Sequence, residues 1–179
     1  MDKKYLINKS KYISLLLRHT PEKANLTLDK KGYVKVSDLL KAVGITKAEL
    51  EEVVATNDKQ RFAFDEDRGY HTFIRASQGH SKPVDLGYAE KEPPEVLYHG
   101  TSTNKKDLIF KDGLKKMKRQ HVHLSLLHGT ALNVGKRHGT PFIFSVDAVQ
   151  MCKDGFKFYL SDNNVWLTDN VPPKYLFVV

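Results

Sequence analysis

Between residues 77 and 94 every hydrophobic period in the chain stops. The stretch SQGHSKPVDLGYAEKEPP carries three prolines and two glycines. Proline removes a backbone donor and glycine widens the accessible conformations, so neither helix nor strand is expected to run through it. Before it, apolar residues recur mainly at helical spacing; after it, they come in short β-rich runs. A 179-residue chain divided this way is expected to fold as two small lobes, and the stretch is read as their connection. The expected bounds are a first lobe at 1–88, a linker at 89–95 and a second lobe at 96–179.

The elements on either side differ in kind. Residues 8–19 predict a helix whose apolar stripe includes Tyr12, Ile13, Leu15, Leu16 and Leu17, stopped by Pro21. Residues 26–28 and 33–36 predict short strands around a turn at 29–32. Ser37 is expected to cap a helix over 38–43 that Gly44 ends. Thr46 with Glu49 is a capping box for a further helix reaching about residue 54. Residues 61–64 and 70–75 flank a turn and predict a hairpin. Helices followed by a β-hairpin outline a winged helix. In the second half, residues 96–99, 122–125, 142–146, 157–160, 166–168 and 175–179 predict strands, and 105–111 and 130–137 predict helices. The class is α+β: an N-terminal winged-helix lobe, then a mixed α/β lobe.

Charge points to the partner. The net charge is +8, and residues 96–179 hold 12 basic against 6 acidic residues. Residues 105–119 alone hold seven basic and two acidic ones. Such a surplus fits an anionic partner, a nucleic acid or a nucleotide, although a lysine-rich face is also simply well solvated. The single cysteine, Cys152, excludes an intrachain disulfide framework and a cysteine-based zinc site. No apolar run reaches membrane-spanning or signal-peptide length, so no membrane partner is expected and the expected location is the cytoplasm.

Several short segments could carry chemistry. Arg18 and His19 close the first predicted helix. They are either two cations complementing its C-terminal dipole or an anion clamp, since a guanidinium matches phosphate oxygens and an imidazole exchanges a proton near neutral pH. Arg61 enters the hairpin, either as an ordinary strand-edge arginine or as a second phosphate ligand. Gln78, Gly79, His80 and Ser81 form a small polar loop. His99, Gly100 and Thr101 follow a strand, where a glycine permits close backbone approach by a ligand. Arg119 precedes His121, His123 and Ser125, which alternate on one face of a strand. Two histidines two apart invite a metal, but no cysteine or second histidine pair supports one, and no metal is expected. Arg137 lies in a basic, glycine-flanked segment that is either a helix C-cap or a phosphate contact.

Together the segments LLRHTP (16–21), NDKQRF (57–62), IRASQGHS (74–81), LYHGT (97–101), RQHVHLS (119–125), GKRHG (135–139) and NNVWLT (163–168) resemble, in order, the NAD-dependent RNA (tRNA) 2′-phosphotransferases. The resemblance implies a winged-helix RNA lobe followed by an ADP-ribosyltransferase-like lobe that holds NAD as co-substrate. It implies a catalytic set of Arg18, His19, Arg61 and Arg119, with Arg119 bridging phosphate and NAD. It assigns NAD contacts to His99, Gly100, Thr101 and Ser125. Arg137 is assigned to a phosphate of either substrate, and the loop Gln78–Ser81 to the RNA phosphate. The implied reaction transfers an internal RNA 2′-phosphate to NAD through a 2′-phospho-ADP-ribosylated RNA. Its products are 2′-OH RNA, nicotinamide and ADP-ribose 1″,2″-cyclic phosphate. The last glutamate is Glu95, so the second lobe lacks the glutamate that many protein-modifying relatives use to activate a neutral acceptor; a phosphate acceptor needs no such activation. The expected partner is 2′-phosphorylated RNA, tRNA included, and the expected state a monomer. Two alternatives stay open: an enzyme that stops after ADP-ribosylating a terminal phosphate, and a winged-helix binder whose second lobe is inactive.

Overall fold

The computed structural model describes residues 2–179. The chain divides into two units, Met1–Gly87 and Tyr88–Val179. Among the described residues there are six α-helices, and every strand pairing is antiparallel. No helix of the described chain is long and apolar enough to cross a membrane.

The first unit opens with α1, Lys3–Arg18. It starts five residues before the apolar period predicts, because the Asp2 side chain accepts from the Lys4 amide and supplies an N-cap. Its buried face is Leu6, Ser10, Ile13, Leu16 and Leu17. Tyr12 and Leu15 of the expected stripe instead point outward, 43% and 44% exposed. Asn25, left-handed at φ 52, ends the 3₁₀ turn Pro21–Ala24. The strand expected at 26–28 does not form: those residues run without a ladder partner, and the only strand before the next helix is β1, Val34–Lys35.

Helix α2, Val36–Val43, then starts at once, with Lys35 rather than Ser37 as N-cap residue. The Val36 amide already donates to the Thr72 carbonyl, so no side-chain cap is required there. Gly44 ends α2 in the left-handed conformation, as its position predicts. The Thr46–Glu49 capping box is present on α3, Lys47–Ala55. Strands β2, Phe62–Phe64, and β3, Phe73–Ala76, form the hairpin, and β1 adds to β3 to give the order β1-β3-β2. The second hairpin strand starts at Phe73 because His71 adopts φ 49 within the turn. Leu16, Leu17, Leu39, Leu50 and Ile74 fill the core beneath this sheet, each 1% exposed or less.

The second unit is built on β4, Val96–Ser102, paired along its whole length with β7, Pro141–Asp147; β11, Leu176–Val178, flanks β7 on its other side. Its helices are α4, Lys106–Asp112, α5, His128–Gly135, and α6, Ala148–Lys153. Helix α6 is not among the expected elements, yet Asp147 caps it by accepting from the Gln150 amide. A second sheet orders β6 (Val122–Leu124), β9 (Trp166–Thr168) and β8 (Tyr159–Leu160). Strands β5, Leu114–Lys115, and β10, Asn170–Val171, form a two-residue ladder. Leu97, Phe144, Val146, Met151 and Phe158 pack the core. An isolated bridge between Tyr98 and Ser125, two hydrogen bonds of 2.8 Å, continues β6 onto β4.

Candidate active site

In the first unit, one loop ties together the segments of three expected reacting residues. Arg18 is the last residue of α1 and His19 its C-cap. The Ser81 amide donates to the Arg18 carbonyl at 2.9 Å, and the Ser81 hydroxyl lies 3.0 Å from His19 Nδ1. At the other end of the loop the Ser77 amide donates to the Arg61 carbonyl at 2.8 Å, and the Ser77 hydroxyl donates to the Gln60 carbonyl. Residues 77–81 therefore hold the Arg18–His19 pair and the Arg61 backbone by short, directional bonds. Gly79, at φ 88, supplies the left-handed turn inside that loop. Ser77, Gln78, Gly79 and His80 are buried and only Ser81 is exposed. Of the four loop residues expected at the phosphate, Ser81 is the one presented beside His19.

Arg61 is oriented by Asn57, a residue to which the sequence alone assigns no role. The Asn57 side-chain oxygen accepts from the Lys59 amide, the Arg61 amide and the Arg61 guanidinium, the last at 3.2 Å. Its amide nitrogen donates to Ser10 on α1 at 2.7 Å. An asparagine folding its own following backbone into a turn is the available sequence signal, and NDKQRF carries it. Asp58 lies 3.7 Å from the Arg61 guanidinium but is 80% exposed, which makes the pair weak.

Buried beneath this group is His80, 0% exposed. Neither ring nitrogen makes a hydrogen bond among the described residues. Burial first, and then the charges of Arg18, Arg75 and His19, push its pKa down from 6.5 to about 4. Arg75 is itself 6% exposed and donates to the Leu86 carbonyl at 3.0 Å, with its guanidinium stacked over Tyr33. A neutral imidazole is thus enclosed among cations. Because its folded pKa is depressed, the unfolded chain binds a proton that the folded chain refuses between pH 6.5 and 4. Stability is therefore complete above pH 6.5 and falls on acidification, by roughly 2–3 kcal/mol at pH 4.5. Urea unfolding at pH 7 and pH 4.5 tests this: His80→Gln is expected to lose less stability than wild type between the two. Equal losses would show that His80 does not stay neutral in the folded state.

In the second unit, Leu97, His99 and Thr101 share one face of β4, while Tyr98, Gly100 and Ser102 share the other. His99 Nδ1 lies 3.2 Å from the His123 carbonyl. A carbonyl only accepts, so Nδ1 carries the proton and Nε2 presents a lone pair when the ring is neutral. Burial, followed by the nearby cations Arg119, His138 and Lys105, lowers the His99 pKa and favours that neutral form, against the opposing effect of the carbonyl bond. Arg119 is exposed in the loop between β5 and β6, and its guanidinium lies 3.0 Å from His123 Nδ1. Ser125 reaches the same region through its bridge to Tyr98.

His121 turns elsewhere, its ring 5.7 Å from that of Tyr159. Among the described residues no group of three His, Cys, Asp or Glu could hold a metal ion. Arg137 lies exposed in the 3₁₀ turn Lys136–His138, and no hydrogen bond or ion pair among the described residues joins it to His99, Arg119 or Ser125. Gly100 is buried, and a Cβ built on it would lie 1.7 Å from the Ala131 carbonyl oxygen of α5. Its missing side chain makes room for a helix.

The profile of the RNA 2′-phosphotransferase, Tpt1/KptA family matches residues 4–170. The chain belongs to this family. A protein of Flavobacterium johnsoniae is 54% identical over 172 residues, 93% of each chain. One of Trichormus variabilis is 53% identical, covering 95% of this chain and 94% of its own. One of Herpetosiphon aurantiacus is 50% identical over 98% of both. All three bear the name "Probable RNA 2′-phosphotransferase". The family match runs through both units, so the Arg18–His19–Ser81 group and the Arg119–His123–His99 group both lie within the matched residues.

Proposed function

We propose that the chain is an NAD-dependent RNA 2′-phosphotransferase acting as a monomer in the cytoplasm on 2′-phosphorylated RNA, tRNA included. The observation that carries this reading is the loop 77–81, which bonds the backbones of Arg18 and Arg61 and the ring of His19. In this reading the first unit is a winged-helix RNA lobe, a description that its order of helices and three-stranded sheet supports. The second is an ADP-ribosyltransferase-like lobe.

The residues suit NAD as co-substrate. His99 offers an acceptor at Nε2 for a ribose hydroxyl. Arg119, with Arg137 and the basic surplus of residues 96–179, supplies positive charge for a pyrophosphate. Thr101, two residues along β4 from His99, and Ser125, bridged to Tyr98, add hydroxyls to the reading. NAD supplies an electrophilic ribose carbon: an oxygen of the RNA 2′-phosphate bonds to C1″ and the bond to nicotinamide breaks. The ribose 2″-oxygen then bonds to phosphorus, the bond to the RNA 2′-oxygen breaks, and the hydroxyl proton is balanced by one delivered to that oxygen. The phosphate is already an anion at neutral pH, so Arg18 and Arg61 need only hold and orient it. His19 donates the proton to the departing 2′-oxygen. Arg119 stabilises the charge that develops on the phosphoryl oxygens.

Incubation with NAD and a 2′-phosphorylated oligonucleotide tests the proposal. The expected products are 2′-OH RNA, nicotinamide and ADP-ribose 1″,2″-cyclic phosphate. Phosphate loss without NAD would overturn the co-substrate assignment. A stable ADP-ribosylated RNA as the end product would mean an enzyme that performs the first transfer alone.

A further inference from the structure

An exposed arginine on a loop has no reason to point in one direction. Arg119 sits in such a loop, residues 116–121, where Met117 takes a left-handed φ of 54 and is 82% exposed. The loop backbone is closed by the Arg119 amide donating to the Lys116 carbonyl at 3.0 Å. The guanidinium is directed by its bond to His123 Nδ1, also 3.0 Å. His123 is on β6, in register with Leu167 of β9, so its backbone is fixed by a sheet rather than by a loop.

The bond determines the chemistry of the histidine. Arginine has donors and no acceptor, so Nδ1 must carry a lone pair and the ring proton resides on Nε2. The carbonyl of the same residue accepts from His99. His123 therefore holds Arg119 through its side chain and His99 through its backbone. We propose that His123 is a positioning residue that presets the Arg119 guanidinium for the transferred phosphate, by accepting through Nδ1. This rests on the reading above in which Arg119 stabilises the reacting phosphate.

Truncating His123 leaves the His99 bond, which uses the backbone, and removes the direction given to Arg119. His123→Ala is expected to lower kcat/KM for 2′-phosphorylated RNA by roughly 10- to 100-fold, the scale of a misplaced catalytic group. His123→Asn places its side-chain oxygen near the former Nδ1 and is expected to recover most of that loss. His123→Gln carries its oxygen out to the Nε2 position and should not. In an Arg119→Ala background, His123→Ala should cost little more, because the two residues act as one unit. Nitrogen-resolved NMR of the full chain should show His123 Nδ1 unprotonated and Nε2 protonated, with that preference relaxing in Arg119→Ala.

His123→Ala turning over at the wild-type rate while Arg119→Ala is inactive would overturn this proposal and leave the proposed function standing. The positioning role also falls, and the proposed function again stands, if Asn fails as fully as Ala in a folded protein or if the two alanine losses simply multiply. Should Arg119→Ala itself leave turnover intact, the assignment of Arg119 falls and this proposal with it.

Discussion

His19→Ala is expected to slow release of 2′-OH RNA by about 10²–10⁴-fold, the range for loss of a positioned general acid, and ADP-ribosylated RNA is expected to accumulate. The two steps differ in what they require. In the first step of the proposed reaction the attacking group is a phosphate monoester, already ionised at neutral pH, and nicotinamide would depart as a neutral base; no proton transfer is required. In the second step the RNA 2′-oxygen would leave as an alkoxide unless it is protonated. His19 is the titratable side chain at the C-cap of α1, and Ser81 engages its Nδ1 at 3.0 Å, which directs Nε2 away from the loop. Arg18→Ala provides the contrast. The Ser81 amide bonds the Arg18 carbonyl, a backbone group, so truncation leaves that bond in place while removing a charge that the proposed reaction uses in both steps. It should lower overall turnover without build-up of the intermediate. Single-turnover kinetics with separation of the three RNA species measures both. Equal slowing of the two steps in His19→Ala would exclude the acid role.

Where an interaction is local in sequence, the elements are legible in advance. The Thr46–Glu49 capping box and Gly44 at the end of α2 each depend on residues within a few positions of one another, and the hairpin of β2 and β3 pairs residues only 10 to 14 apart. The end of α1 at Arg18–His19, before Pro21, is legible for the same reason. Expectation fails where a distant backbone decides. Residues 26–28 have strand-like composition but find no partner edge, and Val36 begins α2 because Thr72, far along the chain, accepts from its amide. Tyr12 and Leu15 are apolar, yet the face of α1 that packs is set by Leu6, Ser10, Ile13 and Leu17.

The candidate site divides along the same line. Residue types such as Arg18, His19, Arg61 and Arg119 are visible in motifs. Their orienting partners are less so: Ser81 meets His19 from 62 positions away, and the burial of His80 follows from the enclosing fold. Asn57 and His123 lie within four residues of the arginines they orient, inside the same short motifs. A four-residue separation in a loop says nothing of direction until the loop conformation is known.

Gly100→Ala is expected to destabilise the second unit by more than about 4 kcal/mol, the tail reached when a core position is overpacked. A glycine after a strand reads in sequence as a place for a ligand to approach the backbone. The structure gives the open face another occupant. A Cβ at residue 100 would meet the Ala131 carbonyl oxygen at 1.7 Å, its carbon at 2.6 Å and the Gly135 amide at 3.0 Å. All three are backbone atoms of α5, so no side chain can rotate away. Gly135 reciprocates: its own Cβ would lie 2.8 Å from the Thr101 carbonyl. The two glycines let the helix backbone rest directly on β4. Relief would require α5 to move off the strand, taking the buried contacts of Ala131 with it. Trp166, the only tryptophan of the chain and 6% exposed, reports unfolding of this unit by fluorescence. Gly129→Ala, in the same helix with nothing within 4 Å of its Cβ position, is the control and should be neutral or stabilise by about 0.4–1 kcal/mol. If Gly100→Ala instead unfolds with the wild-type midpoint and loses only NAD-dependent turnover, then the residue serves ligand approach after all, and the close seating of α5 on β4 is not what requires a glycine there.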